Sequence, residues 1–150
     1  MSLEENKALS CREIEEIFNR GNLDAADEIY TADFVDHDLS LPLEVKGPKG
    51  MKANVGMYCS AFPDLTVTLK DQLAEGDKVA NRWTARGTHQ GEFEGVTPTR
   101  KEMSFTGMHI SRINEEGKIS ESWENYDALG LMRQIGAVPA LEHLEEGSPT

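Results

Sequence analysis

The 150-residue chain is short of cysteine, of positive charge and of long apolar runs, and each shortage excludes something. Its two cysteines, Cys11 and Cys59, lie far apart, form no CxxC, and each falls inside a helical pattern. They read as small buried hydrophobes rather than as a disulfide or a metal pair. Lys and Arg number 15 against 27 Asp and Glu, a net charge of −12. The densest basic spot, Arg100-Lys101, is a single pair. Such a chain repels nucleic acid, and its acidity reads as solubility. No apolar run approaches bilayer length, which excludes a membrane partner. The stretch from Met1 to Arg12 is charged and polar, unlike a secretory signal, so the expected location is cytoplasmic. GxSxG, the P-loop, the dinucleotide fingerprint and HExxH are all missing.

What is present is globular. Apolar residues make up 38% and charged residues 28%, and the length favours one domain able to bury a core of its own. We expect that core over about residues 3–138, followed by an acidic tail over 139–150. The apolar positions Leu9, Cys11, Ile14, Ile17 and Phe18 follow helical spacing, and Arg20-Gly21-Asn22 stops that helix. A second short helix is expected over Asp24–Tyr30. Phe34-Val35 reads as a short strand, and Asp36-His37-Asp38 as the start of a loop. Lys49 to Phe62 reads as a third helix with Met51, Val55, Tyr58, Cys59 and Phe62 on one face, ended by Pro63.

The period then switches to two. Leu65, Val67 and Leu69 alternate with polar residues, and Glu75-Gly76-Asp77-Lys78 signals a hairpin. Val79–Thr88 places Asn81, Trp83 and Ala85 on one strand face. Lys101–Asn114 does the same for Met103, Phe105, Gly107 and His109. Lys118–Tyr126 forms the last strand, and Asp127 stands as N-cap of a closing helix. Helices followed by a meander of strands indicate an α+β domain with helices on one face of an antiparallel sheet.

Two neighbouring strands carry titratable groups that a packed core does not need. His109 shares a face with Met103 and Phe105, and Glu124 lies across the hairpin, within reach if both point the same way. A carboxyl in an apolar pocket is held protonated by desolvation, which suits proton transfer near neutral pH, and a histidine beside it can shuttle the proton. Glu124 and Asp127 are three apart, so one regular strand cannot point both inward; Glu124 is placed inward and Asp127 at the helix start. Tyr58, Phe62, Trp83, Met103, Phe105 and Trp123 are the candidates for an apolar lining that takes a small apolar or aromatic molecule. His37 is a candidate for the pocket rim, with a surface role beside it, and His89 for the pocket mouth, with a loop-structural role as the alternative. His37 has no second histidine or cysteine nearby, so no metal site is expected there. Asp127 stays a candidate for ligand contact beside its capping role.

Taken in order, Ala61-Phe62-Pro63-Asp64-Leu65, Glu75-Gly76-Asp77-Lys78-Val79, Arg82-Trp83, Gly87-Thr88-His89-Gln90-Gly91-Glu92-Phe93, Pro98-Thr99, Gly117-Lys118-Ile119, Glu121-Ser122-Trp123 and the stretch from Asp127 to Gly136 resemble the SnoaL-like polyketide cyclases, also labelled predicted ester cyclases, of the nuclear-transport-factor-2-like superfamily. The likeness runs from about Arg12 to Gly136. It implies a cone in which a curved sheet wraps helices around a deep pocket, with association through the sheet as a homodimer or homotetramer. It also implies a cofactor-free reaction without metal. An acidic residue on the last strand removes a proton next to a carbonyl and then protonates the new alkoxide, closing a ring by intramolecular aldol addition. That residue falls at Glu124 and the family's pocket histidine at His109. The cyclases proper carry aspartate at the position of Glu124. A binding module for a small hydrophobic ligand is the alternative on the same fold.

Overall fold

The computed structural model describes residues 2–138; the expected acidic tail lies outside them. Ser2 begins the first helix, α1 (Leu3–Arg12), with a capping box: its hydroxyl accepts from the Glu5 N–H while the Glu5 carboxylate accepts from the Ser2 N–H. The helix does not run on to Phe18 with one pitch. From Glu13 to Asn19 it widens to π geometry, and Glu13, Ile14 and Ile17 all turn inward. Gly21, at φ +65°, ends the segment. A 3₁₀ turn (Leu23–Ala25) and a one-turn helix, α2 (Ala26–Ile29), lead into the sheet.

The first strand, β1, spans Tyr30–Asp38, and here the expectation of a short strand followed by a loop is corrected. Aspartate has low strand propensity, but β1 is held in register by β6, and that pairing decides its length. β2 (Val45–Lys46) is a short edge strand. α3 (Gly47–Ala61) opens with Gly47 at φ +68° and Pro48 in its first turn, and ends before Pro63. Then come β3 (Thr66–Glu75), β4 (Lys78–Thr88), β5 (Glu102–Ile113) and β6 (Ile119–Tyr126). α4 (Ala128–Gln134) closes the described chain.

The six strands form one curved, unclosed sheet in the order β2-β1-β6-β5-β4-β3. Four neighbour pairs are antiparallel, and β1–β6 is parallel, so the sheet is mixed rather than the antiparallel meander expected. Alternation along β4 and β5 buries every second residue, from Val79 to Gly87 and from Met103 to Ile113. One core cluster joins Ile17, Ile29, Phe34 and Val55 to Ile119; a second joins Phe62, Trp83, Phe105 and Leu131. Both cysteines are free, but Cys11 is exposed and Cys59 half-buried, so neither is the fully buried hydrophobe expected. Among the described residues no helix is long and apolar enough to cross a membrane.

Candidate active site

Strand register builds the site. On the inner face, Asp38 of β1 pairs with Glu124 of β6, Glu124 with His109 of β5, and His109 with Asn81 of β4. This is one polar row across four strands. The next inward row is Asp36, Ser122 and Ser111, and on the other side Tyr126 and Trp83 flank Gly107. A Cβ on Gly107 would lie 2.3 Å from Trp83 Cζ2, so glycine is what lets the indole lie across β5.

These rows wall a cavity with about 740 Å³ of empty space, part of it open to solvent at the mouth. At one end the walls are apolar and aromatic, from Leu65, Val67, Trp83, Ala85, Phe105 and Tyr58. At the other are Glu13, Asp36, Asp38, His109, Ser122 and Glu124. Tyr58 and Tyr126 join hydroxyls at 2.5 Å between α3 and β6.

His109 Nδ1 lies 3.6 Å from Glu124 Oε2, and Nε2 lies 3.7 Å from Glu13 Oε1. Asn81 Nδ2 donates to His109 Nε2 at 3.1 Å and also reaches the Ser10 hydroxyl. With Nε2 accepting, the ring proton sits on Nδ1 and faces Glu124. Burial pushes the imidazole down to about 4, so it is neutral at pH 7. Glu124 is pushed well above the usual carboxylate range by burial first, then by the charges of Asp36, Glu13 and Asp38; a hydrogen bond from Trp83 works the other way. Glu13, bonded to the Tyr30 hydroxyl, is raised to about 7 by burial, and Asp36 is raised to about 7 by burial and by Asp38. The site thus holds a weak carboxylic acid beside a neutral imidazole. The carboxyl can give up a proton as a general acid, and its ionised form, made strongly basic by burial, can take one up.

Of the residues singled out in the sequence, Tyr58, Trp83, Phe105, His109 and Glu124 line the cavity. The others do not. Trp123 follows Ser122 and precedes Glu124, so it faces the outer side of the sheet, 5.8 Å from the His37 ring and beneath the Arg112 guanidinium at 5.3 Å. His37 lies between Asp36 and Asp38 and shares that outer face, held by Glu44 and, at 2.8 Å, by Glu121. Parity excludes both from the inner row. Phe62 and Met103 face inward but are packed into the second core cluster. His89 is fully buried against Phe62; its Nδ1 accepts from the Thr99 backbone N–H and meets the Thr99 hydroxyl at 3.0 Å, so it ties a loop rather than opening onto a ligand. Asp127 is exposed and caps α4, accepting from the Gly130 N–H at 2.8 Å.

The sequence reading missed Glu13, Asp36, Asp38, Asn54, Ser122 and Tyr126, which also line the cavity. Phe34, Asp36 and Asp38 alternate at period two, a signal that extends the strand once Asp is allowed on a buried face. Glu13 had no such signal: it turns inward where the helix widens. Among the described residues no group of His, Cys, Asp and Glu has the arrangement to hold a metal ion.

The SnoaL-like polyketide cyclase family model matches residues 8–135. No curated protein matches the chain. Among solved structures, AclR of Streptomyces galilaeus, provisionally called a hydroxylase, is 33% identical with a TM-score of 0.83, covering 99% of this chain and 92% of its own. IdmH of Streptomyces antibioticus, provisionally called a polyketide cyclase, is 32% identical with a TM-score of 0.74, covering 87% and 98%. A protein from Jannaschia sp. CCS1, provisionally called a SnoaL-like polyketide cyclase, is 25% identical with a TM-score of 0.82, covering 91% and 94%. The chain is a member of the SnoaL-like polyketide cyclase family.

Proposed function

We propose that the chain is a cofactor-free enzyme that moves a proton next to a carbonyl of a small apolar or aromatic molecule and so closes a ring by aldol addition. The observation that carries this is the approach of Glu124 to His109 Nδ1, at 3.6 Å, at the polar end of a cavity with aromatic walls. In this reading the ionised form of Glu124, made strongly basic by burial, removes the proton from the carbon beside the carbonyl. The resulting carbanion attacks a second carbonyl of the same molecule, and Glu124 returns the proton to the new alkoxide. The Nδ1–H of His109 orients the Glu124 carboxylate. Positioned acid/base groups contribute roughly 10²–10⁴-fold, and the glutamate in place of the family's aspartate moves the carboxylate further along its chain.

The test is ring closure of a panel of aromatic polyketide esters, followed by chromatography and absorbance. Glu124→Gln keeps the size and removes the base, and the rate is expected to fall by roughly 10²–10⁴-fold. Turnover that survives the change removes the assignment. Because AclR is called a hydroxylase, the assay is repeated without oxygen; proton transfer proceeds unchanged, whereas a hydroxylation stops. The apolar walls support one second reading, a binding module; its ligand would be recovered unchanged.

We also propose self-association through the outer sheet face. Leu73, Ala80, Ile110 and Trp123 form an outward row by register, with Leu73 at 73% and Ile110 at 41% exposure. Light scattering that finds only the 16.6 kDa monomer would count against it.

A further inference from the structure

The polar end of the cavity is rich in acceptors and poor in cations. Glu13, Asp36, Asp38 and Glu124 reach it from the π segment, β1 and β6, and no Lys or Arg stands among the described lining residues. Two of these acids are unfinished inside the protein. Glu13 Oε1 and Asp36 Oδ1 have no hydrogen-bond partner among the described residues, although Glu13 is 4% and Asp36 5% exposed. Buried polar atoms left this way are costly unless something pairs with them. His109 cannot serve as the missing cation, because burial keeps it neutral at pH 7.

The candidates for pairing differ in charge. A carboxylate ligand would add a further negative charge to the cluster. A neutral ketone or ester can accept from a carboxyl that stays protonated, but it offers no donor to one that has ionised. A protonated amine offers three N–H donors and a positive charge, to groups in a low-dielectric site where that charge counts most. The chain's net charge of −12 also draws cations toward it. We propose that the ligand of this cavity carries a basic nitrogen, with a protonated amine seated between Glu13 and Asp36, clear of the Glu124 carboxyl that moves the proton, and an apolar or aromatic body against Trp83 and Phe105. The inference rests on the reading of this cavity as the substrate site and narrows its substrate to an amine-bearing carbonyl compound. Burial holds Glu13 and Asp36 near 7, with the charge of Asp36 adding to it at Glu13 and the charge of Asp38 at Asp36; a cation between them offsets these charges and lets both ionise.

Calorimetry on the full chain at pH 8 tests this with three probes of similar shape: phenylpropylamine, phenylpropanol and phenylpropanoate. The amine is expected to bind at least about tenfold more tightly than the alcohol, a difference of about 1.4 kcal/mol, and the carboxylate most weakly. Asp36→Asn is expected to weaken the amine about tenfold and leave the alcohol unchanged. An alcohol that matches the amine, a carboxylate that binds best, or a variant that weakens all three alike overturns the inference. If Asp36→Asn does not fold, the ratio of amine to alcohol on the natural chain decides. Neutral esters turned over by a Glu124-dependent reaction, with no preference for the amine, would remove this inference and leave the proton transfer standing. A strong amine preference with no turnover would do the reverse.

Discussion

Replacing Glu13 by Gln should make the protein more stable at alkaline pH and remove part of its pH dependence. Glu13 is 4% exposed and its carboxyl is raised from 4.5 to about 7, with burial as the largest cause and the charge of Asp36 adding to it. The sign follows from proton binding. Between about 4.5 and 7 the folded chain holds a proton on Glu13 that the unfolded chain has lost. This contribution to stability is therefore complete below 4.5 and disappears as pH rises through 7. At 1.36 kcal/mol per pKa unit the gap corresponds to about 3 kcal/mol between pH 4 and pH 8, an upper figure because the site can relax. Asp36, raised from 3.8 to about 7, has the same sign. His109, lowered from 6.5 to about 4, has the opposite one: its contribution is present above 6.5 and lost as pH falls to 4. Both are common to the two proteins and largely cancel in the comparison. Glutamine is neutral throughout and its carbonyl can still accept from the Tyr30 hydroxyl. In urea, with a slope of roughly 2 kcal/mol per molar, the variant's midpoint relative to the natural protein should rise by about 1 to 1.5 M between pH 5 and pH 8. A difference between the two proteins that stays constant with pH, or shrinks as pH rises, refutes the reasoning.

Two further outcomes follow from the geometry. Gly107→Ala places a Cβ 2.3 Å from Trp83 Cζ2 and 2.8 Å from Tyr126 Cβ; overpacking of this kind costs about 1–3 kcal/mol, and it should shift the melting midpoint and the tryptophan emission together. Asp127→Ala removes the cap of α4 at a cost of about 1 kcal/mol; because Asp127 is exposed and outside the cavity wall, ligand affinity measured by calorimetry should not change.

The alternation along Val79–Thr88 and Lys101–Asn114 was enough to place Asn81, Trp83, Phe105 and His109 on one buried face, because strand periodicity is written locally. The cap at Asp127 and the stop at Pro63 were legible for the same reason. The same parity excluded Trp123 once Glu124 was placed inward; aromatic character suggested a lining role that position did not allow.

What lay beyond the sequence was long-range. The parallel pairing of β1 with β6 keeps Asp36-His37-Asp38 extended and delivers both aspartates beside Glu124, a contact between residues more than eighty positions apart. The widened turn at Glu13 brings a fourth acid in from the helical side. The chain by itself determined which face of each strand carries a proton-handling group, since that depends only on alternation. The tertiary structure decided how many acids share the cavity and how far each is driven toward its neutral form, since both depend on which strands meet and what they shut away from water.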